Sequence, residues 1–280
     1  MLPKDCLPLI DLTKTQNPVT ILEVQHAILK YGAFRLWAPE LKRVFARCVP
    51  RNAQNFFQLP TDLKRSTRGY HAFGTELIRG KAAAKESLYI FRKGDEEKSH
   101  ISPPSDLYRS IKAIHDEWKR LRGPLLDTLS NKILRPDVTL TGTPLLDYES
   151  VGLHHYVCQE EIIGEGDYCP PHMDGGTLTV LIREDGECDG LEIADLQSTE
   201  KLDSEGIGLE ASFLPVPAAT DEVVIFVGTR MQRLFGKATA RACVHRVRAP
   251  TQPKSSGAER FSLAIFCAPP KSFGRQQSLQ

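Results

Sequence analysis

Two segments far apart in the chain carry the residues best suited to hold a metal. Pro171-His172-Met173-Asp174-Gly175-Gly176 sets an imidazole and a carboxylate two residues apart. On a strand or at its edge, such residues point to the same side. His245, in the apolar segment Cys243-Val244-His245-Arg246-Val247, offers a second imidazole. Two histidines and one carboxylate on one face of an octahedron form the facial triad of non-haem iron(II) chemistry, which leaves three positions open. The H-x-D pattern alone is a weak signal, and a lone histidine in a β segment is more often structural. Downstream, Arg260 and Ser262 are again two apart. A guanidinium forks onto a carboxylate and a hydroxyl adds a further hydrogen bond, so this pair could grip the far end of a dicarboxylate cosubstrate. The competing reading is a surface arginine beside a structural serine. Tyr156, in Leu153-His154-His155-Tyr156-Val157, either joins the same carboxylate or packs in the core.

The elements that must position these groups divide the chain in two. In the first half, Asn17-Pro18 reads as an N-cap followed by proline at the first helical position, with Ile21, Leu22, Val24, Ile28 and Leu29 forming an apolar stripe. Tyr31-Gly32 ends that helix, and Ala33–Trp37 reads as a short strand. A second helix is expected from about Pro39 to Phe57. A third starts near Ser105 or Asp106, with Leu107, Ile111, Ile114, Trp118 and Leu121 at helical spacing. Pro124 is expected to kink or interrupt it before Leu125 to Leu134 continue the pattern. The second half holds short β-rich runs: Leu153–Val157, Thr177–Ile182, Gly190–Ile193, Glu222–Val227, Val244–Arg248 and Arg260–Cys267. Many short strands separated by turns predict a sandwich or barrel, and the missing βαβ rhythm argues against Rossmann and TIM folds. We expect one domain over residues 1–270, with 1–140 helix-rich, 145–270 forming the β core and 271–280 a flexible tail. Residues 195–211 read as a polar surface insertion.

Composition narrows the function classes. The chain has 280 residues, with 36 Lys plus Arg against 35 Asp plus Glu. This balance provides no net field for nucleic acid or an anionic membrane. Seven cysteines, odd in number and irregularly spaced without a C-x-x-C pair, point to reduced thiols. Residues 1–5 show no signal-peptide pattern and no apolar run approaches a membrane span, so a cytoplasmic location is expected. The H-E-x-x-H motif of zinc hydrolases is absent.

Several motifs, in order, resemble the isopenicillin N synthase-like branch of the 2-oxoglutarate/iron(II)-dependent dioxygenases. Leu7-Pro8-Leu9-Ile10-Asp11-Leu12 is similar to that family's I-P-x-I-D-L, and Tyr31-Gly32-Ala33-Phe34 to its W-G-F-F. Phe56-Phe57-Gln58-Leu59-Pro60 resembles F-F-x-L-P, followed by Gly69-Tyr70. The run His172 to Leu181 resembles H-T-D-x-G-x-L-T-L-L, Val227 to Gln232 resembles V-G-D-x-L-Q, His245-Arg246-Val247 matches H-R-V, and Arg260-Phe261-Ser262 matches R-x-S. The family's N-Y-Y-P stands here as His154-His155-Tyr156-Val157, which keeps only the second tyrosine. The resemblance implies a mainly β fold with packed helices, a distorted double-stranded β-helix or jelly roll of the cupin-like kind. It implies iron(II) on His172, Asp174 and His245, with 2-oxoglutarate on Arg260, Ser262 and Tyr156 as cosubstrate beside dioxygen. It further suggests Phe266, on the Arg260 face of the last strand, and Tyr70 and Phe91 as substrate contacts; for each, core packing is the alternative. The implied activity is hydroxylation, desaturation or cyclisation of a small organic molecule, such as a natural-product intermediate. The alternatives are an iron(II) oxidase of the same fold that does not use 2-oxoglutarate, and an inactive small-molecule-binding relative.

Overall fold

The structure, a computed structural model, describes residues 7–14, 17–90, 102–134, 144–146, 148–157, 166–184, 190–197, 212–249 and 259–269. Phe91, most of the 195–211 insertion and the 271–280 tail lie outside the described residues. The N-terminal elements form where the sequence signals them. Helix α1 (Pro18–Lys30) is capped by Asn17, whose side chain accepts from Thr20 N at 2.9 Å. Helix α2 (Pro39–Phe57) buries Leu41, Phe45, Val49, Ala53 and Phe56, a near-fourfold spacing that makes one apolar face. A short α3 (Thr61–Ser66) follows it. The apolar face of α2 shares a core with Leu107, Ile111, Ile114 and Trp118 of α4 (Ser105–Thr128).

Pro124 does not interrupt α4, which runs through it to Thr128 and then widens into a π-helical turn over Leu129–Leu134. Proline lacks an N–H and crowds the preceding turn, and here the helix absorbs that cost with one face packed in the core. Pro50 is likewise inside α2.

Fourteen strands are described. In chain order they are β1 (Leu9–Ile10), β2 (Ala33–Trp37), β3 (Tyr70–His71), β4 (Leu77–Ile78), β5 (Lys81–Ala82), β6 (Glu86–Ile90), β7 (Tyr148–Val157), β8 (Asp167–His172), β9 (Leu178–Arg183), β10 (Leu191–Ala194), β11 (Phe213–Pro215), β12 (Glu222–Val227), β13 (His245–Arg248) and β14 (Glu259–Ala268). Eight of them make a large sheet in the order β1-β2-β12-β9-β14-β7-β6-β3, four make a second sheet in the order β11-β10-β13-β8, and β4-β5 is a separate hairpin. The two larger sheets enclose a cavity between them, the arrangement of a jelly roll with helices packed outside. The helix-rich first half also contributes to the large sheet, since β2 pairs with β12 from Glu222↔Trp37 to Phe226↔Ala33.

Pairing on the large sheet sets the cavity floor in rows. Phe226, Thr179 and Phe266 are cross-strand neighbours on β12, β9 and β14. Leu181, Ala264, Gly152 and Tyr89 form the next row, then Arg183, Ser262, His154 and Ser87, and finally Arg260 beside Tyr156. Because side chains alternate along a strand, Arg260, Ser262, Ala264 and Phe266 share one face, and all four line the cavity.

Candidate active site

The metal-ligand candidates converge at one end of the cavity. His172 ends β8 and His245 begins β13, directly across from it. Asp174 lies beyond the end of β8, in the connection to β9, so the turn after the strand, and not a continuous strand face, brings it beside His172. His172 Nε2 is 3.7 Å from Asp174 Oδ1, and His245 Nε2 is 3.9 Å from Asp174 Oδ2. One donor atom from each of the three lies within 4.8 Å of the others.

The surroundings fix each ligand's orientation. The Thr179 hydroxyl donates to Asp174 Oδ2 at 2.6 Å. The His172 Nδ1–H donates to the Pro170 carbonyl at 2.8 Å, which aims Nε2 at the other ligands. The His245 ring stacks on Phe226 at 4.4 Å between centroids. Burial and the neighbouring His172 push His245 down to about 4, so it presents a neutral imidazole. Burial opposes charge on His172, but its neighbours Cys169 and Asp174 raise it to about 9. A metal at Nε2 would displace that proton. The backbone holds the same turn: Thr229 N donates to Asp174 O at 2.8 Å and Gly228 N to Thr177 O at 2.9 Å. A side chain at Gly228 would put its Cβ 2.2 Å from Gly176 O. Two imidazoles and a carboxylate, mostly shielded from solvent and held by second partners, suit a divalent transition metal with open positions.

At the other end, the Arg260 guanidinium lies over the Tyr156 ring, 4.6 Å from its centroid. The Ser262 hydroxyl hydrogen-bonds Tyr156. Burial raises the Tyr156 phenol pKa above its ordinary value, which keeps it protonated and able to donate. Triad, Arg260, Ser262, Tyr156 and Phe266 all border one cavity of about 180 Å³. Tyr70 is elsewhere: its hydroxyl donates to Glu86 Oε2 at 2.5 Å and its ring packs on Phe56.

A group that the motifs do not signal also reaches the cavity. Lys85 donates to Glu76 Oε2 at 2.8 Å, to Ser87 Oγ at 3.2 Å and to His154 Nδ1 at 3.0 Å. Tyr89 donates to the other Glu76 oxygen at 2.6 Å. Lys85 and His154 are buried. Their signal in the sequence is faint: charged and polar residues on or beside short strands, where local periodicity says nothing of burial.

Comparisons with known proteins agree with this geometry. Residues 159–269 match the 2OG-Fe(II) oxygenase superfamily. A 2-oxoglutarate-dependent dioxygenase, caaD, from Aspergillus niger is 24% identical over 93% of this chain and 83% of its own length. Among solved structures, a full-length Neurospora crassa protein in complex with alpha-KG superposes with a TM-score of 0.72 at 21% identity, over 94% of this chain and 86% of that one. The Arabidopsis thaliana dioxygenase for auxin oxidation 1, bound to 2-oxoglutarate, gives 0.69 at 18% identity, over 95% and 94%. Motifs and fold agree with that match: residues 159–269 form a 2OG-Fe(II) oxygenase superfamily domain, and along most of its length the chain is similar to a 2-oxoglutarate-dependent dioxygenase, an oxidoreductase that works with iron(II), 2-oxoglutarate and dioxygen.

Proposed function

We propose that the chain oxidises a small organic molecule, with His172, Asp174 and His245 holding iron(II) and Arg260, Ser262 and Tyr156 holding 2-oxoglutarate. The observation that carries this reading is the joint lining of one cavity by three convergent ligand atoms and the half-buried Arg260. When bound, iron with 2-oxoglutarate and dioxygen supplies the oxidation of an unactivated C–H bond, with succinate and carbon dioxide released. The chain's own residues supply geometry. Thr179 and the Pro170 carbonyl aim the ligands, Arg260 sets the reach of a dicarboxylate, and Phe226, Leu181 and Phe266 keep the cavity apolar.

The solved relatives support a small-molecule substrate: the Neurospora crassa protein has been crystallised with thymine and with 5-formyluracil, and JOX2 with JA. A natural-product intermediate is the corresponding proposal for this chain. Among the described residues no helix is long and apolar enough to cross a membrane. The described cysteines Cys48, Cys169, Cys243 and Cys267 are free thiols, which supports a cytoplasmic site of action.

The test is succinate formation and its dependence on Arg260. Losing one partner of a buried charge-assisted pair costs about 2–5 kcal/mol. Arg260→Ala should therefore raise the 2-oxoglutarate requirement at least about tenfold with iron affinity nearly unchanged. Arg260→Lys should restore only part, because an ammonium cannot reproduce the planar fork. Turnover in 2-oxoglutarate-free buffer would instead identify an oxidase of the same fold, with Arg260 holding the substrate's own carboxylate.

A further inference from the structure

The part of the cavity wall beyond β9 on the same sheet is built from Tyr89, His154 and Phe266. Their rings pack mutually, with centroids 5.8 Å apart for Tyr89–His154, 6.3 Å for Tyr89–Phe266 and 6.4 Å for His154–Phe266. Gly152 makes room for this wall. A Cβ there would meet Tyr89 Cε1 at 2.9 Å, His154 Cε1 at 3.0 Å and His154 Nε2 at 3.1 Å. The imidazole therefore leans over Gly152, one row nearer the metal ligands than its own backbone.

The tautomer of His154 follows from its neighbours. An ammonium can only donate, so Lys85 makes Nδ1 an acceptor and the ring proton belongs on Nε2. Burial, and then the positive charge of Lys85, lower the His154 pKa well below its ordinary value, so the ring stays neutral. Among the described residues no hydrogen bond engages Nε2–H; the ring's hydrogen bond runs from Lys85 to Nδ1, while the Ser87 hydroxyl donates to Glu76.

The rest of the cluster is internally satisfied. Lys85 spends its three donors on Glu76, Ser87 and His154, while Glu76 receives Lys85, Ser87 and Tyr89. Its charges cancel, so a buried carboxylate arriving here would meet no spare cation and the Glu76 charge nearby. A neutral carbonyl needs only the one N–H.

We propose that this wall is the specificity determinant for the organic substrate: it takes a neutral, planar, carbonyl-bearing group, stacked against Tyr89 and Phe266 and hydrogen-bonded by His154 Nε2–H. The assignment rests on the reading above, in which Arg260 is committed to 2-oxoglutarate.

The test uses the full chain loaded with 2-oxoglutarate and zinc(II), which is diamagnetic and stands in for iron. The probes are 2-pyridone, uracil and benzamide, with benzoate as an anion of similar size, titrated by NMR on ¹⁵N-histidine-labelled protein. The expected result is that the neutral probes bind more tightly than benzoate and shift the His154 Nε2–H resonance. His154→Phe should weaken them about tenfold, and His154→Gln, which keeps an amide donor and acceptor, should regain part of that loss. Melting temperatures check that both variants fold. 2-Oxoglutarate affinity is measured in the same samples: its absence in the unsubstituted protein would sink the cosubstrate reading, not this one. The proposal is overturned if benzoate binds best, if no neutral probe binds, or if His154→Phe weakens 2-oxoglutarate and leaves the probes unaffected.

Discussion

Thr179→Val should weaken metal binding while changing almost nothing else. Thr179 is buried and its hydroxyl donates to Asp174 Oδ2 at 2.6 Å. Valine keeps the β-branched shape and removes that one donor. A hydrogen bond to a charged group is worth about 1.5–3 kcal/mol, which corresponds to about ten- to a hundredfold in affinity. Partners that orient metal ligands fall in the same range when removed. The control is two residues away. Thr177 is equally buried, but its hydroxyl donates to Leu145 O at 2.8 Å and Cys267 O at 2.9 Å, away from the triad. Thr177→Val should lower stability by about 1–2 kcal/mol and leave metal affinity alone. The assay is anaerobic iron(II) titration against a competing chelator, with urea unfolding of the metal-free proteins alongside. If Thr179→Val bound iron as tightly as the unsubstituted chain, or Thr177→Val weakened it as much, the orienting role of Thr179 would be wrong.

Other perturbations separate stability from chemistry. Burial works against charge on Glu76, but Lys85 and Tyr89 outweigh it and hold the carboxyl at about 2, against 4.5 for the free group. Unfolding therefore takes up protons in acid. The stabilisation, at most about 3 kcal/mol, is complete above about pH 4.5 and is lost as pH falls toward 2. Glu76→Gln should flatten that part of the stability profile, and parallel profiles would contradict the pairing. Gly228→Ala drives a Cβ into Gly176 O; it should cost about 1–3 kcal/mol or more and loosen metal binding through the Asp174 turn, as read by melting and metal titration. Glu149 receives His115, Trp118 and Arg122 beneath β7. Glu149→Ala should destabilise by about 3–5 kcal/mol in urea unfolding, without altering affinity for 2-oxoglutarate.

Much of this was legible in the sequence because local signals were strong. Asn17-Pro18 sets the start of α1, and the Leu107–Ile111–Ile114–Trp118 stripe sets α4. Arg260 and Ser262 share a strand face as their spacing predicts. What stayed hidden depends on contacts across the fold. Glu76, Lys85 and Tyr89 sit on or between strands, some as short as two residues, too short for alternation to show, and their partner His154 is 69 residues from Lys85. Pro124 carries a strong local warning, but packing of Trp118 and Leu125 in the core overrides it. Asp174 joins His172 through a turn whose shape depends on Gly228, far along the chain.

The paired histidines of β7 have a consequence for how such an enzyme changes over generations. His154 and Tyr156 look into the cavity, while Glu149, Val151, Leu153 and His155 look outward, where Glu149 meets α4 and His155 stacks on Phe57 and Phe261. Alternation thus writes two independent messages on a single strand. One set of positions can drift toward new ligands while the other keeps the scaffold standing, because the two sets meet different partners on opposite faces of the sheet. A library restricted to position 154 should therefore yield a larger share of folded variants with altered ligand choice than one spread evenly along β7. Sorting that library by melting temperature and by ligand preference would show whether the two properties vary separately.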